Sequence, residues 1–142
     1  MESERKQFKV AVIGCGRISV MHFDGILRSP LCKLVACCDI RPERAEAAAE
    51  KYRCKPYVSY EKMIAEERPD AVHICLPHYL HAPVAQYAIS CGVNVLTEKP
   101  MTISLADAEA TVALAKEKGV SYHVIFQCRY NAASKLVKRR AE

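Results

Sequence analysis

No stretch of this chain stays apolar for the roughly 18 residues that a membrane-spanning helix needs, and that sets aside a membrane role. The opening residues, MESERKQ, hold no apolar signal core, so the cytoplasm is the expected compartment. No repeat, low-complexity tract or flexible linker interrupts the 142 residues. That continuity reads as one compact domain, long enough to bury a proper core. Eight cysteines are many, yet Cys15, Cys32, Cys37, Cys38, Cys54, Cys75, Cys91 and Cys128 contain no Cys-x-x-Cys pair. They fall mostly inside apolar segments, so they are expected to be buried thiols in a reducing compartment, with no metal site. The net charge of +5 has no basic stripe behind it: Lys and Arg are scattered, apart from Lys135, Lys138, Arg139 and Arg140. A solvated helix face accounts for that run, and no nucleic-acid partner is expected.

What the chain does contain is a rhythm. Short runs of Val, Ile, Ala and Cys alternate with stretches of helical period. The pattern predicts strands at Lys9 to Ile13, Lys33 to Cys38, Ala71 to Leu76, Asn94 to Leu96 and Ser121 to Phe126, with a short extended piece near Pro56 to Val58. Helices are predicted at Ile18 to Arg28, Pro42 to Tyr52, Tyr60 to Glu67, Ala82 to Cys91 and Leu105 to Lys118, with a last one from about Ala132. Gly92 and Gly119 are placed to end helices. Strands apolar on both faces imply a parallel sheet covered on both sides, so the expected fold is α/β: a doubly wound Rossmann sheet in three α/β/α layers. Ligands of such sheets lie beyond the carboxyl ends of the strands, after Ile13, Cys38, Cys75 and Leu96.

The first of those ends reads Gly14-Cys15-Gly16-Arg17-Ile18-Ser19. Gly14 permits a sharp turn off the strand, and Gly16 keeps side-chain bulk away from amides at a helix start, whose dipole favours phosphate. The third small residue of the usual fingerprint is here Ser19. A pair of glycines after a strand is weak alone, but this surrounding unit supports a dinucleotide site with Gly14, Gly16, Arg17 and Ile18 against the pyrophosphate.

The second strand ends in Asp39-Ile40-Arg41. Asp39 stands where a carboxylate accepts bonds from both ribose hydroxyls, which favours NAD; Arg41 would instead suit the extra phosphate of NADP. Asp39 and Arg41 also read as the solvent-facing start of the helix opened by Pro42. After the fourth long apolar run, Leu76 and Pro77 lead the chain over the nucleotide, and His78 and His81 follow, readable as substrate contacts or general acids or, more ordinarily, as polar surface or helix-cap residues. The next strand runs into Thr97-Glu98-Lys99-Pro100-Met101, with a proline able to be cis. The Lys99 ammonium would stabilise an alkoxide during hydride transfer, or would form an exposed salt bridge with Glu98.

GCGRIS followed by His22, Asp39 in CDIRPER, LPHYLHAPVA and TEKPM, taken in that order, resemble the Gfo/Idh/MocA family of nicotinamide-dependent oxidoreductases along nearly the whole chain. Glu98-Lys99-Pro100 is the most specific part of the match, and FQCRYN near Phe126 is also similar. The resemblance implies hydride transfer between NAD, or NADP, and a secondary alcohol of a sugar, inositol or related polyol. It implies Lys99 as the catalytic lysine, Asp39 on the ribose, Glu98 and Pro100 around the nicotinamide, His81 and Pro83 beside the cofactor, and Arg129 and Asn131 near the cleft. Family members run to more than twice this length. Residues 131–142 are therefore expected to begin a helix leading to a second α/β domain, absent here, that carries the substrate pocket and the oligomer interface of a homo-oligomer. The alternative is a stand-alone NAD(P)-binding or redox-sensing module without catalysis.

Overall fold

The computed structural model describes residues 7–141; Met1 to Lys6, within the segment read as lacking a signal core, and Glu142 lie outside the described residues. Six strands form one sheet: β1 (Phe8–Ile13), β2 (Cys32–Cys38), β3 (Lys55–Tyr57), β4 (Ala71–Ile74), β5 (Asn94–Thr97) and β6 (Tyr122–Val124). Their order is β3-β2-β1-β4-β5-β6, and every neighbouring pair is parallel. The helices are α1 (Ser19–Arg28), α2 (Pro42–Tyr52), α3 (Tyr60–Glu67), α4 (His81–Ser90), α5 (Leu105–Lys118) and α6 (Ala132–Ala141). No helix among the described residues is long and apolar enough to cross a membrane.

Period-two alternation divides β1 between two cores. Val10 and Val12 meet Phe23 and Ile26 of α1 and Ala49 and Tyr52 of α2, whereas Ala11 and Ile13 meet Met63 and Ile64 of α3 and Val84, Ala85 and Ala88 of α4. The sheet is thereby covered on both faces, as its apolar strands require. Local chemistry ends the helices. Ser59 Oγ accepts from the Lys62 N–H at 3.1 Å at the start of α3, and Gly119 closes α5 with φ of 66°. Arg53 and Arg68 take the left-handed conformation after α2 and α3, with φ of 56° and 45°, at places where the sequence carries no glycine signal.

The differences from the sequence expectation lie at element ends. The predicted strand to Leu76 stops at Ile74, although the Cys75 N–H still donates to the Ile13 carbonyl at 2.8 Å. β6 is shorter than expected, confined to the three residues that pair with β5. The reading of the cysteines as buried holds for the sheet residues Cys37 and Cys38, and for Cys75 just past β4. Cys15, Cys32 and Cys54 are half-buried, and Cys91 and Cys128, which lie outside the sheet, are exposed.

Candidate nucleotide site

The winding direction reverses between β1 and β4, the place where a doubly wound sheet opens a crevice at its carboxyl edge. A cleft of about 760 Å³ lies there, within the usual range for ligand pockets. Its wall includes Gly14, Gly16, Arg17, Ile18, Asp39, Ile40, Arg41, Leu76 and Pro77, nine of the thirteen residues expected at the cofactor.

Gly14 is there because nothing larger fits. Its φ is +95°, and a Cβ would sit 2.4 Å from the Cys75 carbonyl oxygen. At Gly16 a Cβ would meet nothing within 4 Å, so that part of the loop faces open space. Among the described residues, no acceptor of this chain takes the N–H of Gly16, Arg17 or Ile18. Unfilled donors before the first turn of α1 are what a pyrophosphate needs, and the residues present therefore fit a dinucleotide.

Asp39 is buried, and it already holds the loop. Its Oδ2 accepts from the Cys15 N–H and its Oδ1 from the Arg41 N–H, both at 2.9 Å. Each carboxylate oxygen keeps a further lone pair for a ribose hydroxyl. Asp39→Ala is accordingly expected to weaken NAD binding by about 1–3 kcal/mol, and NADP binding by less. Calorimetric titration checks this, and equal losses for the two cofactors would remove the ribose role.

Several wall residues were missed at the sequence level. Arg44 is one turn along α2 from Arg41, and helical spacing would have put both guanidinium groups on the cleft side. Tyr79 and Leu80 come from the short 3₁₀ turn His78–Leu80, and Glu61 from α3. Pro83, expected beside the cofactor, also lines the cleft.

The other four expected residues stand outside the cleft wall. His78 is exposed, but His81 is fully buried and so is not a surface loop residue. Its Nδ1 lies 2.7 Å from the Pro100 carbonyl and its Nε2 2.8 Å from the Leu76 carbonyl. The ring ties the turn after β4 to the turn after β5. Glu98 points inward, with Oε1 3.2 Å from His22 Nε2 and Oε2 accepting from the Lys99 N–H at 3.2 Å. The exposed Glu98–Lys99 salt bridge is thus not formed: among the described residues the Lys99 ammonium has no ion-pair partner, and Lys99 is exposed at the sheet's carboxyl edge. The Lys99–Pro100 peptide is cis. Arg129 and Asn131 are exposed, next to the start of α6.

A family model described as an oxidoreductase family with an NAD-binding Rossmann fold matches residues 8–126. The chain belongs to the Gfo/Idh/MocA oxidoreductase family. Among curated proteins, it is 33% identical to the scyllo-inositol 2-dehydrogenase (NAD(+)) of Bacillus subtilis, over 96% of this chain and 40% of that protein. It is 32% identical to a dTDP-3,4-didehydro-2,6-dideoxy-alpha-D-glucose 3-reductase of Streptomyces violaceoruber, over 93% of this chain and 40% of that one. The WlbA dehydrogenase of Bordetella pertussis, solved with NADH and UDP-GlcNAcA, superimposes with a TM-score of 0.92 at 33% identity, covering 96% of this chain and 42% of the other. A 3-ketoreductase of Actinomadura kijaniata, solved with TDP-benzene and NADP, gives 0.89 at 28% identity, covering 96% and 43%. This family member therefore spans about 40% of the length of the curated relatives it matches, and that part is the NAD(P)-binding Rossmann portion.

Proposed function

We propose that this chain is the nucleotide-binding part of a dehydrogenase that exchanges a hydride between NAD(P) and a secondary alcohol of a sugar, inositol or related polyol. One observation carries the reading: a glycine-walled cleft at the switch point lies at the same sheet edge as a lysine whose ammonium has no carboxylate partner among the described residues. When bound, the nicotinamide dinucleotide supplies the hydride acceptor or donor. Gly14, Gly16 and the amides up to Ile18 hold the phosphates, and Asp39 holds the ribose. His81 and Glu98 keep the flanking turns in place without touching the cofactor. Lys99 is the catalytic residue: with the cofactor bound, its ammonium would hydrogen-bond the substrate hydroxyl and stabilise the alkoxide oxygen as that hydroxyl's proton leaves to solvent and the hydride passes from carbon to the oxidised nicotinamide. Arg41 and Arg44 both line the cleft beside Asp39, and this favours, as a second reading, acceptance of NADP as well as NAD. The longer protein is a cytoplasmic homo-oligomer acting on a small polyol or sugar, with no nucleic-acid partner.

Titration of this chain with NAD and with NADP tests the binding half, and saturable binding is expected. No binding of either at millimolar concentration would overturn it. The catalytic half is tested in the longer protein with a panel of inositols and nucleotide sugars, following reduced nicotinamide by absorbance. There Lys99→Ala is expected to lower turnover by roughly a hundredfold while leaving cofactor affinity in place. An unchanged rate would return Lys99 to a surface role.

A further inference from the structure

Behind the Lys99 turn, three side chains from distant parts of the chain meet in the interior. His22 comes from α1, His73 from β4, and Glu98 directly succeeds β5. His22 is only 5% exposed and Glu98 8%. His22 Nδ1 lies 3.1 Å from His73 Nδ1, with the two rings edge to face at 5.2 Å between centroids. On its other side, His22 Nε2 lies 3.2 Å from Glu98 Oε1. Glu98 Oε2 then receives the Lys99 N–H, also at 3.2 Å.

The donors of this chain of contacts can be ordered from its end. A carboxylate only accepts, so His22 Nε2 carries the hydrogen that points at Glu98. With that hydrogen on Nε2 and the His22 ring neutral, Nδ1 of the same ring is an acceptor, and the hydrogen between the two rings belongs to His73 Nδ1. Every bond then has one donor and one acceptor. A largely buried network of this kind, with His22 and Glu98 inside and His73 half-buried at its end, holds its members in one geometry, because the low local dielectric penalises any arrangement that leaves one of the buried groups unpaired. Its last member is the backbone of Lys99 itself.

We propose that His22 and His73 are positioning residues for Lys99: His73 orients His22, His22 anchors the Glu98 carboxylate, and Glu98 fixes the Lys99 backbone so that its ammonium stands clear of Glu98 at the sheet's carboxyl edge. The proposal rests on Lys99 being the catalytic lysine. It also explains why Glu98 does not pair with the neighbouring ammonium, since His22 draws its carboxylate inward and leaves the lysine charge for a substrate oxygen. In addition, the relay joins α1, which follows the glycine loop of the cleft, to the turn that carries Lys99.

The test is heteronuclear NMR on this chain, reading the tautomers of the two imidazoles and the hydrogen-exchange rate of the Lys99 amide. The expected spectrum has His22 protonated at Nε2 and His73 at Nδ1. His22→Leu is expected to speed Lys99 amide exchange by about tenfold or more, the equivalent of one lost hydrogen bond. His22→Gln, whose amide can donate at the same place, is expected to restore most of the protection. His73→Leu should produce a smaller acceleration, since it loosens His22 without removing it. If His22→Leu fails to fold, the wild-type tautomers and the glutamine variant decide the matter. Opposite tautomers, or Lys99 exchange that is the same in wild type and variants, would overturn the relay. In a turnover assay of the longer protein, alongside Lys99→Ala, His22→Leu should lower kcat and leave KM for the cofactor unchanged, with recovery in His22→Gln. Faster amide exchange combined with turnover that neither Lys99→Ala nor His22→Leu alters would overturn instead the catalytic role of Lys99 on which the relay depends.

Discussion

Gly14→Ala is expected to destabilise the chain by about 3 kcal/mol or more, while Gly16→Ala leaves stability nearly unchanged and weakens cofactor binding. The two glycines are separated by one residue, but their surroundings differ. At Gly14 the added methyl would lie 2.4 Å from the Cys75 carbonyl oxygen, 2.8 Å from its carbon and 3.1 Å from Leu76 Cδ2. Neither strand can yield cheaply. The Gly14 N–H is bonded to the Cys38 carbonyl at 2.7 Å and the Cys75 N–H to the Ile13 carbonyl at 2.8 Å, so relief of the clash breaks ladder bonds on both sides of β1. The φ of +95° adds a conformational cost for any side chain. At Gly16 neither penalty applies, and alanine even reduces the freedom of the unfolded chain. Its methyl would instead crowd the loop that faces the cleft. Urea unfolding and titration with NAD, run on both variants, read the two effects separately. A Gly14→Ala protein with the wild-type midpoint would contradict the close approach of β1 and β4.

Acid should weaken the fold through His73 well before carboxylates are fully titrated. Burial, and then the neighbouring His22, push His73 from its ordinary 6.5 down to about 4. The unfolded chain takes up a proton on this residue as the pH falls past 6.5, whereas the folded chain resists until about 4. Stability from this group is therefore fully present above pH 6.5, declines between 6.5 and 4, and changes no further below that. The shift corresponds to about 3 kcal/mol across the window. Urea unfolding at a series of pH values checks it, with His73→Leu as the reference. That variant is less stable near neutrality, because His22 loses its partner, but it should show a flatter decline over the same window. Parallel curves for the two proteins would mean that another group sets the acid sensitivity.

Much of the site was legible because each of its pieces is local in sequence. A glycine loop between a strand and a helix, an aspartate at the end of the next strand and a proline turn after the fourth are each written in a few adjacent residues, and the sheet topology sets those strand ends side by side. Features that depend on contacts across the chain were not legible. The local sequence around His81 offered a polar loop or cap residue or a group beside the cofactor, yet the side chain is fully buried with each ring nitrogen on a backbone carbonyl from a separate turn. Glu98 and Lys99 read as a natural pair because they are adjacent, yet the carboxylate turns to His22, 76 positions away. Arg53 and Arg68 carry no sign in the sequence of the left-handed backbone they adopt at the ends of α2 and α3.

The alternation of strands and helices, the doubly wound class of the sheet, the nucleotide loop and the family are all written in the order of the amino acids. They rest on periodicity and on short motifs whose chemistry is complete within a few residues. Which side chains line the cleft, which stand behind it, and why Glu98 turns to His22 rather than to Lys99 were instead matters for the folded chain. Those outcomes depend on burial and on the choice of hydrogen-bond partner, and both are settled when α1, β4 and β5 come together in space.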